Sequence, residues 1–127
     1  MCADDEPAIR EVLRALLRRE GCEVESVGNG MEAWRKLSGA PRDFDVLITD
    51  NEMPELPGLR LVQKIREAGL EVKIIVFSAS LTTGDEDVFR NWQVDALVAK
   101  GAPIDELLGE LRRLLQQVGA GISNRVP

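Results

Sequence analysis

Four short apolar runs in this chain each end on residues able to do chemistry. Asp4 and Asp5 follow Met1-Cys2-Ala3, and Asp50 follows Val46-Leu47-Ile48-Thr49. Ser78 follows Ile74-Ile75-Val76-Phe77, and Lys100 follows Ala96-Leu97-Val98-Ala99. Runs of this kind suit strands covered on both faces. Parallel strands of an α/β sheet deliver the residues at their carboxyl ends to one rim, where ligands bind. Carboxylates gathered there repel one another unless a cation joins them. The set points to a hard divalent metal, a lysine counter-charge and a hydroxyl donor around one central aspartate, Asp50. Such a site suits the holding of a phosphoryl group.

Each residue alone has a plainer explanation. Asp4-Asp5 could be an acidic pair favoured at a helix N-terminus. Asp50 could be a turn residue before a proline loop, Lys100 a solvated lysine and Ser78 an incidental serine. Their joint placement at strand ends carries the functional reading. Trp34 and Trp92 read as packing residues.

The elements that must position the set alternate strand and helix five times. Residues 7–19 read as a helix, with Pro7 at a favourable first position and Ile9, Val12, Leu13, Leu16 and Leu17 on one apolar stripe. Gly21 ends it. Residues 22–27 alternate as a half-exposed strand. Asn29-Gly30 opens a helix to about Leu37, and Asp45 to Thr49 is a strand. The loop 51–58 carries Pro54 and Pro57. Leu59 to Glu67 is a helix stopped by Gly69. Lys73 to Ser78 is the fourth strand, Ser80 to Thr83 a loop, Gly84 to Trp92 a short helix and Asp95 to Ala99 the fifth strand. Ile104, Leu107, Leu108, Leu111, Leu114, Leu115 and Val118 mark the last helix as amphipathic; the stripe is mainly core, and its edge could also serve a partner. This order implies one α/β domain over residues 1–118, with a parallel sheet, right-handed crossovers and helices on both faces. Residues 119–127 are small and polar, a tail expected to fray. The first strand is short for a central strand. Either the start is trimmed or the sheet is unusually short there, and lower stability is expected.

The 127 residues fit one core. With 16 basic against 22 acidic residues and a net charge of −6, the chain lacks the basic face of a direct nucleic-acid binder. No apolar run approaches the ~20 residues of a membrane span, and the N-terminus lacks signal-peptide features. A cytoplasmic protein is expected. Cys2 and Cys22 form no metal-ligand pattern and read as buried thiols. The chain has no histidine, so any phosphohistidine must belong to a partner.

Ala3-Asp4-Asp5-Glu6, Asp45 through Asp50, Met53-Pro54 with Gly58, Phe77-Ser78-Ala79 and Val98-Ala99-Lys100 together resemble the receiver domain of two-component response regulators, including the single-domain chemotaxis type. The resemblance covers nearly all of residues 2–118. It implies a doubly wound, flavodoxin-like sheet of five strands in the order 2-1-3-4-5, and phosphorylation on Asp50. It also implies Mg2+ held by Asp5, Asp50 and the backbone carbonyl of Glu52, with Asp4 acting through water. Lys100 would pair with Asp50 and then with a phosphoryl oxygen. Ser78 and the Ala79 N–H would donate to other phosphoryl oxygens. The implied partners are a sensor histidine kinase or histidine phosphotransfer protein and a downstream protein target. A homodimer through the fourth helix, fifth strand and fifth helix is possible in this family.

Four positions depart from the family pattern. Gly101 replaces the proline that usually follows the lysine through a cis bond, so the loop is looser or is held by Ala102-Pro103. Leu97 replaces the usual aromatic switch residue, so signals would travel by loop or helix displacement. Gln93 replaces a helix-ending glycine, so Gln93 is left-handed or the turn differs. Glu52 lies two residues past Asp50, where its carboxylate could reach the metal or Lys100 and alter the phosphoryl lifetime.

The leading function is a phosphorylation-dependent signalling switch that turns over no metabolite. The alternative is a degenerate receiver, a constitutive interaction module favoured by Leu97 and Gly101. A phosphatase with an aspartate nucleophile is a third reading, opposed by the lack of a cap and of a second acidic cluster. The chain could stand alone or be a fragment of a longer regulator or hybrid kinase.

Overall fold

A computed structural model describes residues 1–118; the tail expected over 119–127 lies outside the described residues. Five parallel strands form one sheet: β1 (Cys2–Ala3), β2 (Ser26–Val27), β3 (Val46–Thr49), β4 (Lys73–Ser78) and β5 (Ala96–Ala99). Their order is β2-β1-β3-β4-β5, as the resemblance implies. The helices are α1 (Pro7–Arg19), α2 (Gly30–Gly39), α3 (Gly58–Glu67), α4 (Thr83–Asn91) and α5 (Ile104–Val118), with a 3-10 turn at Pro41–Asp43.

The period of two along each strand divides the core between the sheet faces. Leu47, Ile74 and Val76 pack with Leu37 of α2, Leu61 and Ile65 of α3, and Phe89 of α4. Val46, Ile48, Ile75 and Phe77 pack with Leu13 and Leu17 of α1 and Leu107, Leu111 and Leu114 of α5. Burying each large side chain contributes about 1.5–3 kcal/mol. Trp34 and Trp92 sit partly buried against the first layer, and the Lys64 ammonium lies 5.5 Å from the Trp34 ring centroid.

Several boundaries differ from the sequence reading. The strand expected over 22–27 shrinks to Ser26–Val27, because β1 offers only Cys2 and Ala3 as partners. Cys22 still bonds to helix α1, its N–H donating to the Leu17 carbonyl at 3.1 Å past the left-handed Gly21. Helix α4 begins before Gly84. The Thr82 hydroxyl accepts from the Asp85 N–H at 3.1 Å, and the Asp85 carboxylate accepts from the Thr82 N–H at 3.0 Å. This reciprocal cap sets the helix start. The Asn29 side chain caps α2 through the Glu32 N–H at 2.8 Å.

Gln93 does adopt a left-handed conformation, at φ +60°. Arg66 holds that turn. Its guanidinium donates to the carbonyls of Leu70, Val72, Trp92 and Gln93 and to the Asp95 carboxylate, at 2.9–3.4 Å. Burial pulls the Arg66 pKa below its ordinary value, although Asp95 opposes this.

Met1 extends the short β1 at its start: it is fully buried, and its nitrogen donates to the Val46 carbonyl at 2.8 Å.

Candidate functional site

The strand register brings the sequence-selected residues together. Ala3 lies beside Thr49, so Asp4 and Asp50 leave the sheet at the same level. Ser78 lies beside Ala99, one residue before Lys100, and the Lys100 N–H donates to the Ser78 carbonyl at 2.9 Å. Asp4 and Asp50 are 2% and 5% exposed, and Ser78 is equally buried.

Lys100 is the hub of this rim. Its ammonium lies 2.9 Å from an Asp4 oxygen, 3.2 Å from Asp50 and 3.2 Å from Glu6. Burial works against the charged lysine, but Asp4 and Asp50 outweigh it and raise its pKa above the ordinary value. Burial likewise pushes Asp4 up, against the Glu6 N–H and Lys100 that pull it down. The other Asp4 oxygen accepts from the Glu6 N–H at 3.0 Å. Asp50 Oδ1 accepts from the Asn51 N–H at 2.8 Å and the Glu52 N–H at 3.4 Å.

Asp4, Asp5, Glu6 and Asp50 present carboxylate oxygens that all lie within 4.8 Å of one another. This oxygen-only donor set suits a hard divalent cation such as Mg2+. Glu6 was overlooked as a site residue, although it directly follows the acid pair. Arg10, one turn into α1, was also missed; its guanidinium donates to the Asp4 carbonyl at 2.7 Å and pins the end of β1. Only the fold could reveal that contact.

A cavity of about 500 Å³ beside Ser78 is lined by Asn51, Glu52, Ala79, Ser80 and Leu97. Here the Glu52 carboxylate, directed by the sequence reading toward the metal or Lys100, instead accepts from the Ser80 hydroxyl at 3.2 Å. The lysine loop contains no cis peptide bond among the described residues. Its turn closes through the Ala102 N–H and the Ala99 carbonyl, at 3.0 Å.

The loop after Asp50 is seated by two glycines. The Gly58 N–H donates to the Asn51 carbonyl at 2.8 Å. A Cβ on Gly58 would fall 2.2 Å from the Asp50 carbonyl oxygen, and one on Gly30 would fall 1.9 Å from that of Leu56. The same loop holds Glu55 at φ +68°.

Comparison with known proteins agrees with this geometry. The family model described as response regulator receiver domain matches residues 1–112. The chain is 32% identical over 118 residues to the response regulator MprA of Mycobacterium leprae, covering 92% of this chain and 50% of that protein. It is 42% identical over 82 residues to the DNA-binding transcriptional regulator NtrC of Azospirillum brasilense, covering 65% of this chain and 17% of that protein. The chain thus spans half or less of the length of these curated relatives. Among solved structures, the response regulator TrrA of Thermotoga maritima, in complex with Mg(2+)-BeF, superposes with a TM-score of 0.79 at 35% identity, covering 90% of this chain and 96% of that one. The chemotaxis protein CheY4 of Vibrio cholerae superposes with a TM-score of 0.80 at 27% identity, covering 90% and 95%.

The glycine contacts give a direct test. Gly58→Ala should lower stability by about 1–3 kcal/mol, because backbone atoms must move to admit the methyl group. Gly109→Ala, within α5 and with open space around its Cβ, should instead stabilise by about 0.5–1 kcal/mol. Urea midpoints measure both; a Gly58→Ala protein as stable as wild type would contradict the close approach.

Proposed function

The chain belongs to the response regulator receiver family, and we propose that it takes a phosphoryl group from a partner histidine onto Asp50 and thereby switches its protein contacts. The observation that carries this reading is the buried Asp50 carboxylate, 3.2 Å from Lys100 and grouped with the carboxylates of Asp4, Asp5 and Glu6. Receivers as a class interact with histidine kinases. A sensor kinase or histidine phosphotransfer protein would be the donor, and this chain would act in the cytoplasm on a downstream protein target. Among the described residues, no helix is long and apolar enough to cross a membrane.

In the proposed transfer, an Asp50 oxygen lone pair forms the O–P bond while the P–N bond to the donor imidazole breaks, its electrons staying on nitrogen. The transition state spreads charge over the phosphoryl oxygens, so positioning and positive charge govern the rate. Lys100 passes from the resting carboxylate to a phosphoryl oxygen. Ser78 and the Ala79 N–H donate to other phosphoryl oxygens. Asp5, Asp50 and the Glu52 carbonyl would hold Mg2+, with Asp4 holding a bound water; when present, the ion supplies further positive charge against the developing phosphoryl charge. Hydrolysis of the acyl phosphate by water restores Asp50 and releases inorganic phosphate. This is chemistry on the protein's own side chain, without metabolite turnover.

Leu97 and Gly101 favour a second reading, a degenerate receiver that binds partners constitutively. Leu97 lines the cavity beside Ser78, where the family carries an aromatic switch residue. Acyl-phosphate formation separates the readings.

Intact mass after incubation with acetyl phosphate and Mg2+ should show one phosphate adduct on the wild type, absent from Asp50→Asn and absent with chelator. A folded, Mg2+-binding wild type without an adduct would favour the degenerate module. Glu52 and its Ser80 partner overhang the same cavity, so Glu52→Ala should change the adduct's lifetime several-fold. An unchanged dephosphorylation rate would remove Glu52 from the mechanism.

A further inference from the structure

Asp4 and Asp5 are neighbours in the chain, yet they are held very differently. Every polar group of Asp4 is engaged. Its N–H donates to the Val27 carbonyl at 3.1 Å. Its carboxylate accepts from the Glu6 N–H at 3.0 Å and meets the Lys100 ammonium at 2.9 Å. Its carbonyl accepts from the Arg10 guanidinium at 2.7 Å. Asp5 is exposed and, among the described residues, makes no hydrogen bond or ion pair of its own. Its carboxylate nonetheless belongs to the group of acids that converge within 4.8 Å. With no partner on its side chain, the direction of Asp5 is set by its backbone, and first by the peptide that joins it to Asp4. A peptide unit is planar. With the Asp4 N–H and side chain already held, fixing the carbonyl oxygen fixes the plane, and Arg10 supplies that bond.

We infer that Arg10 is a positioning residue for the divalent cation: by holding the Asp4 carbonyl, it sets the direction in which Asp5 presents its carboxylate to the ion. This rests on the Mg2+ assignment in the reading above. Arg10 suits the role. Helical side chains lean toward the N-terminus, so from the first turns of α1 the guanidinium reaches back to the end of β1. Gly28, between β2 and α2, leaves it room: a Cβ there would lie 3.4 Å from the guanidinium nitrogen that makes this bond. Magnesium tolerates little departure from octahedral geometry, so a swing of the Asp4–Asp5 peptide lowers affinity. Arg10 also brings a positive charge close to the acids, and that charge alone would repel a cation. Removing Arg10 therefore has two effects of opposite sign, and only the loss of positioning weakens cation binding.

The test titrates Mg2+ into wild type, Arg10→Met and Arg10→Lys, following the Asn51 and Glu52 amide resonances by NMR, since both N–H groups bond to Asp50. Urea midpoints check that each protein is folded. Arg10→Met should weaken Mg2+ binding about tenfold, the lower end for loss of a group that orients a metal ligand. Half-maximal adduct formation with acetyl phosphate should move to higher Mg2+ by the same factor. Arg10→Lys keeps a donor for the single carbonyl bond and should recover most of the affinity. In the wild type itself, Mg2+ should slow solvent exchange of the Arg10 guanidinium, because coupling between the bond and the ion is reciprocal. Exchange that Mg2+ leaves unchanged would overturn the inference without any variant. Tighter binding by folded Arg10→Met would leave charge repulsion as its only effect, and equal binding would leave Arg10 a purely structural tie; either result overturns the inference. Equal weakening by both variants would assign the effect to guanidinium packing beside Gly28, and overturns it too. A wild type that binds no Mg2+ removes the metal assignment and this inference with it. A wild type that binds Mg2+ but takes no phosphoryl group overturns the functional reading alone, and the titration still decides the role of Arg10.

Discussion

The balance of charge at Lys100 organises the upper rim of this molecule. Two buried carboxylates, Asp4 and Asp50, sit at neighbouring strand ends, and the Lys100 ammonium lies 2.9 and 3.2 Å from them. The lysine supplies its charge from β5, on the far side of β4. It therefore joins the centre of the sheet to its edge. Removing a carboxylate or the lysine alone would leave the remaining charges buried and unbalanced, which costs more than the intact group is worth. The site and the upper end of the sheet are thus stabilised by the same ions.

Backbone proximity supports that balance. Gly58 lets α3 begin against the Asp50 carbonyl, and Gly30 lets α2 begin against the carbonyl of Leu56. The loop between Asp50 and Gly58 is consequently bounded by two helix starts. Any displacement of Asp50 or its neighbours presses directly on α2 and α3. Partly buried Trp34 and its contact with Lys64 lie on that same α2–α3 side.

At the other end of the sheet, stability is assembled from small devices rather than strand length. Strand β1 has two residues, yet both neighbours pair with it, and the Met1 amine and carbonyl add bonds to β3. Arg66 ties α3, the start of β4 and the turn before β5 through one guanidinium. Those bonds offset the cost of a left-handed Gln93, which an L-residue adopts at about 1–2 kcal/mol.

Much of this was legible in the sequence because it depends on local pattern. Strand-length apolar runs, helical stripes and their alternation determined the layers, and the resemblance supplied the strand order. The residue following each run placed Asp4, Asp5, Asp50, Ser78 and Lys100 at one rim, since parallel strands share a direction. Tertiary structure decided what depends on distances between distant segments. The length of β2 was set by how little of β1 it could pair with. The third partner of Lys100 proved to be Glu6, 94 residues away in sequence. Glu52 turned to Ser80, and Arg10 reached back to the Asp4 carbonyl. Periodicity specifies which face a residue occupies, but a hydrogen bond requires placement within a few tenths of an ångström, and only the packed chain sets that.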